Sequence, residues 1–193
     1  MKKRVAILIS GRGSNMRALI EAAKNKDYPA EIVLVISNIA DAGGLDFARQ
    51  HGIKTEVIDH KKFPSREIFD NAINAALKAA NIDIVALAGF MRLLSPRFVE
   101  SWRGRMINIH PSLLPAYKGL HTHKRALEAG EKFHGCTVHF VTPELDDGPA
   151  ILQAKVPVLP GDTEDVLAAR VLEQEHKIYP EALRLVAEGK AKI

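Results

Sequence analysis

Asn108 and His110 stand two apart in Ile107-Asn108-Ile109-His110-Pro111, and Glu144-Leu145-Asp146 follows about one supersecondary unit downstream. In a strand, side chains alternate, so residues two apart share a face. Pro111 stops the ladder and leaves the pair at the strand's end. An amide donor beside a titratable imidazole, with an acid able to fold back on both, is equipped for acyl chemistry. It can stabilise an oxyanion and move a proton. An aspartate against the imidazole favours its charged form and makes a proton donor available near neutral pH. Taken singly, either residue could be a satisfied polar group at a strand end, and a lone histidine is more often that than catalytic. Their joint placement, with Asp146 in a glycine-flanked loop, favours chemistry.

Gly11-Arg12-Gly13-Ser14-Asn15 follows an apolar run and opens a helical pattern. Free amides at a helix N-terminus point outward, and the macrodipole there favours an anion. The loop is not a dinucleotide fingerprint, because Met16 stands where the third glycine belongs. The next strand ends in Ser37-Asn38 rather than an acid for a ribose hydroxyl, and no Gly-Lys-Ser/Thr follows. A terminal phosphate held by Gly13, Ser14 and Asn15 is the preferred reading. The alternative is a tight turn with a serine or asparagine cap and no ligand.

The remaining candidates are less specific. His121-Thr122-His123 invites a metal beside His110, but alternation sends the pair to opposite faces of a strand and no third ligand is evident. No metal is expected; the two histidines shape the loop or cap the following helix. Arg66 and Arg92 lie after strands or at helix starts, where they either reach an anionic tail or are solvated surface arginines. Gly89-Phe90-Met91-Arg92-Leu93-Leu94 is unusually apolar for a loop. It either lines a slot for a flat heterocycle or belongs to the core.

These residues need a scaffold, and 193 residues suffice for one domain, 1–193, with a sizeable core. The net charge of +4 suits a phosphorylated small molecule. Without a dense basic run beyond Met1-Lys2-Lys3-Arg4, nucleic acid is not an expected partner. The lone Cys136 excludes an internal disulfide and a multi-cysteine metal site. No run approaches the ~20 apolar residues needed to cross a bilayer, so no membrane partner is expected and the location is read as cytoplasmic.

Strand-type runs at 5–10, 31–37, 54–58, 82–88 and 106–109 alternate with helical patterns at 16–24, 45–50, 65–80 and 96–101. Strands apolar throughout belong to a parallel sheet covered on both faces. The first half therefore reads as successive βαβ units, α/β and Rossmann-like. Strands at 137–141 and 151–158 are joined too closely for a parallel crossover and should be antiparallel. A helix spans 163–188, with Pro180 expected to interrupt or kink it. In such a sheet, ligands lie outside the carboxyl ends of the strands. The segments 11–15, 89–94, 108–119 and 142–148 all fall there.

In order along the chain stand Gly-x-Gly-Ser-Asn, Ala88-Gly89-Phe90-Met91-Arg92, Asn108-Ile109-His110-Pro111-Ser112-Leu113-Leu114-Pro115, Gly119-Leu120-His121-Thr122-His123 and Glu144-Leu145-Asp146. Together they resemble, essentially end to end, the folate-dependent formyltransferases. The Gly-Ser-Asn loop and the Gly-Leu-His-Thr-His segment point to the stand-alone bacterial phosphoribosylglycinamide formyltransferases among them. The resemblance implies a three-layer Rossmann-like formyltransferase fold, its mostly parallel seven-stranded sheet carrying one antiparallel strand. It implies formyl transfer from 10-formyltetrahydrofolate to the glycine amine of glycinamide ribonucleotide in purine biosynthesis. Asn108, His110 and Asp146 would be catalytic. Gly13, Ser14 and Asn15 would hold the phosphate, with Glu175 near the ribose. Met91, Arg92, Leu93 and Leu94, with Asn108 and Val141, would line the folate slot, and Arg66 and Arg92 would meet its glutamate tail. The implied partners are these two small molecules alone, and the assembly is a monomer or homodimer.

One residue departs from the family pattern: Asp147 stands where the first of two glycines is expected. Two relatives of the same fold remain as rivals. A formyltetrahydrofolate hydrolase shares the catalytic trio but has no use for the phosphate loop. A methionyl-tRNA formyltransferase is expected to carry a further domain and a stronger basic face. From a different class, a non-catalytic nucleotide-binding module retaining the fold would tolerate loss of His110.

Overall fold

The computed structural model describes residues 1–193. In chain order the strands are β1 Lys3–Ile9, β2 Ala30–Ser37, β3 Lys54–Val57, β4 Ile84–Leu87, β5 Met106–His110, β6 Phe133–Phe140 and β7 Ala150–Pro157. The helices are α1 Ser14–Ala23, α2 Gly44–Gln50, α3 Arg66–Ala79, α4 Pro96–Ser101, α5 Thr122–Glu128 and α6 Glu164–Ala187. The strands form one sheet in the order β3-β2-β1-β4-β5-β6-β7. From β3 to β5 every pairing is parallel. β6 is antiparallel to both β5 and β7, so it is the single reversed strand of the sheet.

Alternation along β1 builds the three layers. Val5, Ile7 and Ile9 are fully buried on one face with Leu19 of α1 and Leu167, Val171 and Tyr179 of α6. Ala6 and Leu8 are equally buried on the other, with Phe69, Ile73 and Leu77 of α3 and Phe98 and Val99 of α4. A strand buried on both sides must be apolar at every position, which is why these strands read as continuous runs.

The sheet reverses its winding at β1. From β1 the chain moves outward to β2 and β3, then returns to place β4 on β1's other side. Such a switch point leaves a crevice beyond the carboxyl ends of the two central strands. Here the loops after β1 and β4 flank that crevice. Two sequence expectations need correction. α6 runs from Glu164 to Ala187 with Pro180 inside it, so the proline does not interrupt the helix; its apolar face is locked into the core by Leu167, Val171, Tyr179 and Leu183, which outweighs the one backbone bond proline forfeits. β6 begins at Phe133, earlier than 137, because its full length pairs with β7.

Candidate active site

At the crevice, Gly13 occupies the cap position of α1 in a left-handed conformation (φ 68°), and no side chain caps the helix. Glycine adopts this geometry readily; a Cβ would also sit 3.1 Å from the Met16 methyl. The reading of the loop as a serine- or asparagine-capped turn is thereby excluded, and the first amides of α1 are left without a side-chain acceptor. A cavity of about 210 Å³ is lined here by Gly11, Arg12, Gly13, Ser14 and Asn15 from one loop and Ala88 and Gly89 from the other. Asn15 Oδ1 is buried with no partner, while its Nδ2 approaches Glu175 Oε1 at 3.5 Å. Burial pushes the Glu175 carboxyl up to about 7, against a smaller lowering by Asn15. A hollow of about 340 Å³ at the amino ends of β4 and β5 is lined by Asn74, Lys78, Trp102 and Arg105. Its cations lie at or near the C-termini of α3 and α4, where the helix dipoles favour them without a ligand.

On β5, Ile107 and Ile109 face the core shared by α1 and α6, which turns Asn108 and His110 to the opposite face. His110 Nε2 donates to the carbonyl of Tyr117 at 2.9 Å, and its Nδ1 lies 3.5 Å from Asp146 Oδ2. The latter is an ion-pair approach rather than a hydrogen bond. Both side chains are less than a tenth exposed, so little solvent screens them. Asp146 is held in a left-handed conformation (φ 49°) and its Oδ2 also accepts the Gly119 amide at 2.9 Å. Sequence reasoning joined Asn108, His110 and Asp146, and the structure brings them together.

His139 escaped the sequence reading. It lies directly across the ladder from Asn108. Its Nδ1 donates to the Phe140 carbonyl at 2.9 Å, so Nε2 is free to accept from Asn108 Nδ2 at 3.2 Å. Burial lowers the proton affinity of this ring; Asp146 Oδ1, 3.9 Å away, pulls the other way with less effect. A neutral His139 thus fixes which way the Asn108 amide faces.

The apolar loop is tied to the Gly11–Asn15 loop by Ser10, the last residue before Gly11. Its hydroxyl accepts the Met91 amide at 2.8 Å and donates to Asn38 Oδ1 at 2.5 Å; Asn38 Nδ2 in turn donates to His60 Nδ1 at 3.2 Å. Met91 and Leu93 are well exposed, so they are not core. Leu94 and Val141 are partly buried against the α3–α4 layer. Arg92 is exposed beside them, and Arg66 is exposed at the first residue of α3; neither makes a polar contact with the other candidates. His121 occupies the cap position of α5 (φ 56°) without capping it, and His123 Nδ1 lies 3.1 Å from His134 Nε2.

Residues 3–183 match the family model described as formyl transferase. This chain belongs to the formyl transferase family. It is 52% identical to phosphoribosylglycinamide formyltransferase of Escherichia coli, over 98% of this chain and 89% of that protein. It is 54% identical to the trifunctional purine biosynthetic protein adenosine-3 of Drosophila melanogaster, covering all of this chain but only 14% of that protein's length. The crystal structure of phosphoribosylglycinamide formyltransferase from Brucella melitensis superposes with a TM-score of 0.94 at 57% identity, covering 97% of this chain and 96% of that one. The family match thus includes the reversed strand β6 and runs from residue 3 to residue 183.

Proposed function

We propose that this formyl transferase moves the formyl group of 10-formyltetrahydrofolate to the glycine amine of N1-(5-phosphoribosyl)glycinamide, a step of de novo purine biosynthesis. The observation that carries the reading is the pairing of two half-sites across the switch point. Asn108, His110 and Asp146, suited to acyl transfer, stand at the end of β5, and an uncapped helix N-terminus suited to a phosphate follows β1, with β4 between the two strands. The names carried by the bacterial relatives support the same substrate. The domain is 1–193, acting as a monomer or homodimer in the cytoplasm, on small molecules alone and without metal.

Gly13, Ser14 and Asn15 hold the phosphate through α1's free amides, and Glu175 accepts from the ribose hydroxyls. The folate ring lies along Met91, Arg92, Leu93, Leu94 and Val141, with Arg66 and Arg92 available to its glutamate tail. When the neutral amine attacks the formyl carbon, charge grows on the formyl oxygen. The outward Nδ2–H of Asn108 meets it, together with His110. His110 Nε2 is held by the Tyr117 carbonyl and Nδ1 faces Asp146, so the ring is oriented through both nitrogens. Asp146 stabilises the charged imidazole and relays the proton from the attacking amine toward the folate nitrogen that leaves.

The test is a product assay with both substrates and then with the folate alone. Formylated ribonucleotide that appears only with both, with little free formate, is the expected result. Formate released at the same rate without the ribonucleotide identifies a hydrolase and overturns the reading.

A further inference from the structure

Position 147 carries a carboxylate, and its partner in the structure is Lys118. We propose that the Lys118–Asp147 ion pair is a positioning device that clamps residues 117–119 to residues 146–147 and so sets His110 and Asp146 relative to one another. The proposal rests on the acyl-transfer reading of those two residues.

The neighbours of the pair make the case. Tyr117 supplies the carbonyl that takes the His110 Nε2 proton at 2.9 Å, and Gly119 supplies the amide that binds Asp146 Oδ2 at 2.9 Å. Lys118 stands between them in the chain, and Asp147 is covalently next to Asp146. The ion pair therefore closes a circuit through both acid–base residues. Its members need holding. Tyr117 (φ 54°) and Asp146 (φ 49°) both lie in the left-handed region, which side chains disfavour and which persists where surrounding contacts enforce it. On its other side the segment is fastened to α5 and the turn after it. Arg125 Nη1 donates to the Lys118 carbonyl at 2.7 Å, and the Tyr117 hydroxyl donates to Glu131 Oε1 at 2.7 Å. Lys118–Asp147 is the tie to the opposite loop made between two side chains, beside the Gly119 amide on Asp146 Oδ2.

Lys118 is 37% and Asp147 53% exposed, so the contact is partly screened by water and salt and its effect is modest. The test uses the full chain with Lys118→Met, Asp147→Asn and the double variant. It reads exchange of the Gly119 amide together with kcat and KM, at low salt and near ~1 M salt. Each single variant should speed Gly119 exchange and lower kcat by about two- to five-fold at low salt, with both KM values nearly unchanged. The double variant should be no worse than either single, and high salt should erase the differences. Unchanged Gly119 exchange overturns the proposal, as do additive effects in the double variant. A KM rise confined to Lys118→Met also overturns it, by marking Lys118 as a ligand contact. If the wild type makes no formylated product, the functional reading fails, whereas Gly119 exchange still decides the tie.

Discussion

Asn108 and His139 face each other across the β5–β6 ladder, with Nδ2 of one 3.2 Å from Nε2 of the other. The contact orients an amide that would otherwise be free to flip its donor and acceptor ends, since the two are nearly the same shape. One end of His139 is fixed by the Phe140 carbonyl, so its other end can only accept while the ring stays neutral.

Replacing His139 with alanine should therefore cost rate rather than binding. Losing one hydrogen bond of ordinary strength, about 1 kcal/mol, predicts a fall of about five- to ten-fold in kcat. Substrate dissociation constants should stay near wild type. A KM effect with normal kcat would place His139 in binding instead.

Little of this contact was legible in the sequence. The apolar run ending at His110 and the strand around 137–141 were both visible, but not the register that sets Asn108 opposite His139. Pairing between strands separated by a loop and a helix is a long-range property that no local pattern encodes. The same holds for the Tyr117 carbonyl, whose left-handed backbone lies in an irregular segment without periodicity. By contrast, the layers were legible because strands buried on both faces must be apolar throughout. The turn at Gly11 to Asn15 was legible because it follows an apolar strand run and opens a helical pattern; the left-handed Gly13 came only with the structure. The interruption read at Pro180 did not occur, because side-chain packing of α6 outweighs local propensity.

Glu175 predicts a pH signature in the ligand-free protein. Its folded-state pKa of about 7 lies above the usual carboxylate value, because burial penalises the charged form. Its contribution to stability is complete below the unfolded-state pKa and is lost as pH rises through the folded one. Relative to Glu175→Gln, wild type should thus lose stability between about pH 4.5 and 7, by up to the order of 3 kcal/mol. Thermal unfolding of both proteins across that range checks this; parallel curves would contradict it.

Ser10 ties the loop that starts at Gly11 to the exposed apolar loop, its hydroxyl accepting the Met91 amide. Ser10→Ala removes that acceptor without touching the reacting atoms. The expected outcome is a rise of about three- to ten-fold in KM for the folate substrate, with kcat and the ribonucleotide KM little changed. Steady-state kinetics with each substrate varied in turn separates these. A drop in kcat alone would assign Ser10 a different role.

The most direct test of the central claim is the rate of formyl transfer by His110→Ala, measured with both substrates saturating and the fold checked by circular dichroism. Removal of an oxyanion donor that also carries the proton predicts a loss of about two to three decades in kcat, with ribonucleotide binding retained. Asp146→Asn should fall in the same direction. A folded His110→Ala protein working near the wild-type rate would contradict the account.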